Sequence, residues 1–284
     1  MKYLPVINTQ IVLERFFTAS KEQIDKNPYA IQCEYICQPL LVSFPRISPE
    51  ELQYELFNHG LFDPLEWMES KRVVEKMEKM NVWQIVEKEY RLLKDLWGGP
   101  EVSIYILPIN TNGEMGEHAP VKNGVAYSGT LLLFLSDELS SEAIKTLFAH
   151  EYNHVCRLNY LGKAPAKILL MDSLLIEGLA EFAVQDLYGE EFSSPWVNLY
   201  SYKKMMKIWK RYFLPSLNLV GTDSHQPFLY GDTKKRLPKW IGYQIGYQIV
   251  ATYQQRNGFT ANNELYRKSS EEVIAGSDFA LPKT

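Results

Sequence analysis

In the stretch TLFAHEYNHVCRLNYLG, residues 146 to 162, His150 and His154 stand four apart and Glu151 directly follows the first of them. On a helix, side chains four apart leave the same face one turn from each other, so both imidazoles can grip one metal ion. Glu151 lies about a third of a turn round, where its carboxylate can reach a water on that ion without filling the coordination shell. Neutral imidazoles suit zinc, and a catalytic zinc needs at least one more protein ligand and an open position for water. The competing reading is an ordinary helix whose two histidines are buried and hydrogen-bonded to backbone.

The third ligand has to come from elsewhere. The pattern with a third histidine six residues after the second fails, because Arg157 stands where its glycine belongs and Tyr160 where its histidine belongs. A more distant stretch, LLIEGLAEF at 174 to 182, sets Glu177 and Glu181 one turn apart among apolar residues. Carboxylates in such a setting are costly unless paired or bound to metal. Two helices, one offering two histidines and the other a glutamate, would complete a His, His, Glu site.

Those helices must be held in place, and the sequence marks the elements that do so. Ser140 caps the helix that carries the histidines, with Glu142 in its first turn and Gly162 at its end. After Pro165 a largely apolar helix runs to Gly189, and a further one lies between Pro238 and Gly258. The first hundred residues read as mainly helical. Ser48, Pro49 and Glu51 form a capping box and first turn that stops at Gly60; Asp63 and Pro64 open a second helix; Asn81 to Gly98 holds a third. Between Pro100 and Ser140 the pattern changes: EVSIYILPI is strand-like, NTNGEMGEHAPVKNG a loop, and VAYSGTLLLFLS one or two further strands. The expected fold is α+β and mostly helical, with a small sheet packed on the histidine helix and a helical C-terminal part. A division at residues 1–97 and 98–284 is expected, or one continuous domain.

Composition narrows the setting. With 30 Lys+Arg against 34 Asp+Glu the net charge is -4, which gives no basic surplus for nucleic acid. No apolar run is long enough to span a bilayer, and MKYLPVINTQ lacks the charged start and small-residue cleavage site of a secretory signal. Three cysteines agree with a reducing compartment, so a cytoplasmic protein is expected; Cys33 and Cys37 are read as packing residues.

HEYNH followed at a distance by EGLAEF resembles the gluzincin metallopeptidases, whose second motif helix supplies a glutamate ligand. HEYNHVCR, the EGLAE helix and GYQIGYQIV together resemble the YjaZ-like family of predicted zinc-dependent proteases, over about residues 85 to 255. The resemblance implies a Zn2+ cofactor, Glu177 as the third ligand, and Glu181 as an outer carboxylate that orients a ligand histidine. The gap of 23 positions from His154 to Glu177 is longer than in well-known gluzincins, and Ile176 stands where asparagine is usual. Glu177 and Glu181 therefore both stay open as the metal ligand.

The expected activity is hydrolysis of a peptide or protein substrate, with Glu151 as general base. A donor for the developing oxyanion is also needed. GYQIGYQIV puts Tyr243 and Tyr247 on one helical face, and Gly242 and Gly246 let that helix approach a neighbour closely. The resemblance favours Tyr243 as donor, with His225, read in a loop, as rival and Tyr247 as a further possibility; the plainer reading is aromatic core. His118 is read as a surface or cleft residue and His59 as a helix cap or surface residue. The strand before the histidine helix is the expected place for an extended substrate to pair. The alternatives are a zinc hydrolase of a non-peptide amide and a non-catalytic zinc-binding regulatory protein.

Overall fold

The computed structural model describes residues 5–110, 121–127 and 129–280. Two of its helices, at residues 49 and 141, begin where the sequence places their serine caps. Ser48 Oγ accepts from Glu51 N at 3.1 Å while Ser48 N donates to Glu51 Oε2 at 2.7 Å. This reciprocal pair satisfies two amides that the first turn would leave unbonded. Six helices fill the N-terminal third: α1 (Thr9–Glu22), α2 (Pro28–Gln32), α3 (Gln38–Leu40), α4 (Pro49–Asn58), α5 (Trp67–Lys79) and α6 (Val82–Trp97). Asp63 Oδ1 accepts from Leu65 N at 2.9 Å, but the residues it caps form a 3-10 turn at Pro64–Glu66 before α5 begins. Phe16, Phe17 and Phe62 meet as tilted and edge-on rings in the core beneath these helices. Cys33 and Cys37 are buried free thiols in the π-helical turn between α2 and α3.

The apolar run at 130 to 135 becomes the central strand of a three-stranded sheet. β1 (Ser103–Pro108), β2 (Lys122–Tyr127) and β3 (Thr130–Leu135) lie in the order β1-β3-β2. β3 runs parallel to β1, from Ser103↔Thr130 to Pro108↔Leu135, and antiparallel to β2, from Lys122↔Leu135 to Tyr127↔Thr130. All six residues of β3 are buried, as a continuous apolar run requires when both faces are covered. β2 is the half-buried edge strand. It starts at Lys122, inside the stretch read from sequence as loop.

Helices make up the rest: α7 (Ser141–Leu161), α8 (Leu170–Tyr188), α9 (Tyr202–Ile208), α10 (Thr222–Tyr230), α11 (Ile241–Asn257), α12 (Asn262–Leu265) and α13 (Ser270–Ala275). Ser140 Oγ accepts from Ala143 N at 3.1 Å and so caps α7. Two compact units divide the chain, residues up to 95 with 100–152, and 96–99 with the residues from 153 on. α7 contributes to both.

In the second unit α8 and α11 cross at their glycines. A Cβ on Gly178 would come 2.2 Å from Gly246 O, and one on Gly246 would come 2.2 Å from Leu174 O. Gly242 is equally tight, with a Cβ meeting Phe228 O at 2.6 Å. The backbones touch because these positions have no side chain. The fold is α+β, mostly helical with a small mixed sheet. Among the described residues no helix is long and apolar enough to cross a membrane.

Candidate metal centre

α7 turns the HEYNH spacing into a cluster. One ligand atom from each of His150, Glu151 and His154 lies within 4.8 Å of the other two. Glu151 and His154 are buried and His150 is half-buried, so the group lies along one line of the helix at the edge of its covered face. The neighbouring residues explain why this helix is held firmly. Phe148 stacks on Tyr152 at 5.7 Å, and Tyr152 Oη donates to Pro100 O at 2.9 Å. Asn153 Nδ2 donates to Tyr266 Oη at 2.8 Å. The two variable positions of the motif are thus anchors on the side away from the histidines.

α8 brings a carboxylate to this line. Glu177 Oε2 lies 3.4 Å from His154 Nε2. Two donors at about 2.0–2.1 Å from one tetrahedral zinc are themselves about 3.4 Å apart, whereas a direct hydrogen bond between them would be about 2.7–3.2 Å. Imidazole and carboxylate are also ligands that zinc accepts. The donor chemistry of the residues present therefore fits a zinc ion, and so does the separation of His154 from Glu177. Glu177 owes its position to Gly178, whose backbone is pressed on Gly246 of α11.

Glu181, one turn further along α8, is only 1% exposed, and its Oε1 accepts from Ser194 Oγ at 2.9 Å and Trp196 Nε1 at 2.8 Å. Tyr243 on α11 is buried, its ring edge-on to Trp196 and Trp240 and its hydroxyl donating to Tyr230 Oη at 3.3 Å. Tyr247 donates to Gln185 Oε1, and burial pushes its pKa up. His225 is on α10, not in a loop, and is fully buried. Its Nδ1 pairs with Ser173 Oγ at 2.8 Å and its Nε2 with Leu219 O at 2.9 Å, so both nitrogens are engaged within the fold. His59 ends α4, half-buried, with Nε2 3.4 Å from Tyr127 Oη. Burial lowers its pKa. His118 lies outside the described residues.

Two features of this centre escape a reading of the motifs. The first is Gly124 on β2. A Cβ there would stand 2.3 Å from Glu151 Cγ and 2.7 Å from its Oε1. The Glu151 side chain therefore lies directly over a bare stretch of β2 backbone. An isolated glycine in a strand often marks such an approach, but Gly124 ends a stretch that reads as loop, which hides the signal. We expect Gly124→Ala to displace the Glu151 carboxylate and, on the hydrolase reading proposed below, to lower kcat by about tenfold to a hundredfold with zinc content unchanged. Single-turnover kinetics beside metal analysis would show it, and an unaltered kcat would mean that Glu151 has room to move.

The second is Arg157, fully buried one turn beyond His154. Its guanidinium donates to Tyr266 O at 2.7 Å, Lys268 O at 2.8 Å and Ser270 Oγ at 3.0 Å. Ser270 Oγ in turn donates to Asp172 Oδ1 at 2.7 Å, near the start of α8. Burial raises the Asp172 pKa, but hydrogen bonds from Lys163, Ser270 and Leu169 N outweigh it and hold the carboxyl below its ordinary value. An anion at Asp172 thereby faces the buried cation through a serine, and α7, α8 and α13 are tied together.

Two histidines and a glutamate on one helix form a group that could hold a metal ion, and Glu177 of α8 lies against the second histidine. Residues 82–275 match the family described as "Predicted Zn-dependent protease (DUF2268)", and the chain belongs to that family. It is 32% identical over 200 residues to "Uncharacterized protein YjaZ" of Bacillus subtilis (strain 168), covering 70% of this chain and 75% of that one. It is 26% identical over 144 residues to "Uncharacterized protein YjfC" of the same organism, covering 46% of each. No solved structure matches the chain significantly.

Proposed function

We infer that the chain is a zinc-dependent peptidase of gluzincin type, with His150, His154 and Glu177 as metal ligands and Glu151 as general base. The observation that carries this reading is the 3.4 Å approach of Glu177 to His154, beside a Glu151 that a purely structural zinc site would not need. Zinc bound there supplies a polarised water that can lose a proton near neutral pH. Glu151 takes that proton and later gives it to the leaving amine, a role its fixed position over Gly124 suits.

Tyr243 serves as hydrogen-bond donor to the developing oxyanion. His225 has both nitrogens occupied within the fold; the Tyr243 and Tyr247 hydroxyls are each engaged, with Tyr230 and Gln185, and Tyr243 is preferred on the family resemblance. Glu181 acts at one remove from the metal, fixing Trp196 and Ser194 beside α8. A polypeptide substrate, in preference to a small amide, is supported by β2. It is an edge strand with Gly124 against the general base, and an extended chain can pair along such an edge. The buried reduced thiols suit a cytoplasmic location.

The direct test is metal analysis of the purified protein and two variants. About one zinc per chain is expected for the natural sequence. Glu177→Ala should lose it and Glu181→Ala should keep it; the reverse result would exchange their roles. Digestion of a peptide library with and without chelator then tests the chemistry. Stable zinc without chelator-sensitive cleavage would leave a binding protein, and hydrolysis of small amides alone would leave a non-peptide hydrolase.

A further inference from the structure

Charge is spread unevenly along this acidic chain. Residues 203–239 hold nine of its 30 lysines and arginines but two of its 34 carboxylates, giving that segment +7 against -4 for the whole. All nine cations are exposed, and none makes an ion pair with a described carboxylate. Of the two acids, Asp232 is turned to local use: its Oδ1 accepts the amides of Lys234 and Lys235, shaping the turn that Asp232 and Leu237 close. Unpaired cations gathered in this way hold a positive potential that a matching anion would discharge.

Aromatic rings join the two halves of this surface. Lys204 of α9 lies over Tyr200 at 4.3 Å, and Tyr200 Oη donates to Lys239 O at 2.8 Å. Lys239 stands 5.7 Å from the Trp240 ring, which stacks on Trp196 at 4.8 Å. Trp196 is the indole that donates to Glu181 on α8, one turn from Glu177. Trp240 itself has a left-handed backbone, φ 60°, a conformation that a bulky residue adopts only when its surroundings require it. The rings are locked against one another and half-buried, a platform for stacking and not a set of projecting anchors for a bilayer.

We propose that the basic and aromatic surface formed by α9, the 232–239 turn and the Trp196–Trp240 pair docks acidic, aromatic-containing polypeptide segments of the substrate. The proposal rests on the peptidase reading for what it docks and on charge complementarity for how. Carboxylates of the segment meet the lysines and Arg236, while its aromatic side chains lie on the exposed parts of Tyr202 and Tyr230.

The test uses the full chain carrying Glu151→Gln, so that bound peptide is not consumed, and reads fluorescence anisotropy of short labelled peptides. One peptide alternates Glu and Phe, a second alternates Lys and Phe; phosphatidylserine vesicles and a short DNA duplex serve as rival probes. The acidic peptide should bind, and weaken as salt is raised. Lys234→Ala, Lys235→Ala, Arg236→Ala and Lys239→Ala together should cost about tenfold or more in affinity. Lys203→Ala with Lys204→Ala, on a different element, should weaken it in the same direction. Equal affinity after both sets of substitutions, or tighter binding of vesicles or DNA than of peptide, would overturn the proposal. Turnover by the natural chain separates the two readings. Acidic peptide held but never cleaved would end the peptidase reading and leave the docking surface. Neutral and acidic peptides cleaved equally well, with or without the lysines, would end the docking surface and leave the peptidase.

Discussion

Glu151→Gln is expected to keep its zinc and to lose about 10²- to 10⁴-fold in turnover, the usual weight of a general base. The amide has the shape of the carboxylate, so it sits over Gly124 as before and leaves His150, His154 and Glu177 undisturbed. What it lacks is basicity. An unprotonated carboxylate takes a proton from water and returns it to the leaving amine; the amide does neither. Metal analysis and chelator-sensitive kcat, measured on one preparation, separate this outcome from loss of the ion. Turnover at the natural rate would remove Glu151 from the mechanism, and loss of zinc would make it a ligand instead.

Gly178→Ala is expected to damage stability and the metal site together. The new Cβ would fall 2.2 Å from Gly246 O and 2.3 Å from Gly246 C. Both are backbone atoms inside α11, so no side-chain rotation relieves the clash and the helices must separate. Overpacking of this kind costs about 3 kcal/mol. Because Glu177 precedes Gly178, the separation carries the carboxylate away from His154, and the stabilisation that zinc lends through mass action shrinks. Urea unfolding with and without zinc measures both quantities. A midpoint unchanged in the absence of zinc would show that α8 and α11 are not locked at this crossing. A midpoint that falls while zinc still adds its full increment would detach Glu177 from the site.

Much of this centre was legible in the sequence because its chemistry is carried by helical spacing. His150 and His154 are four apart and do share one face; Gly242 and Gly246, also four apart, each bring α11 against a backbone, the first that of α10 and the second that of α8. The Ser48 and Ser140 caps were legible for the same reason, since a cap is a contact within a few residues. What spacing cannot give is which of two equivalent glutamates a neighbouring helix will meet. The approach of Glu177 to His154 depends on packing between helices. Gly124 escaped because its role lies in a strand approaching a helix 27 positions away in sequence. Glycine and proline around His225 read as a loop, yet Pro227 lies within α10, and the imidazole is covered by Ser173 and Leu219. Arg157 showed in the sequence only as a departure from another pattern; its use required acceptors from residues over 100 positions later.

That guanidinium has a further consequence for how the molecule can be handled. Tyr266, Lys268 and Ser270 give a cation sealed from water the oxygens it needs, so a chain clipped before Tyr266 would leave it stranded beside the imidazole of His154. The tail of the molecule works as a buckle on the two rods that would share the ion, and trimming it for crystallisation would loosen their grip.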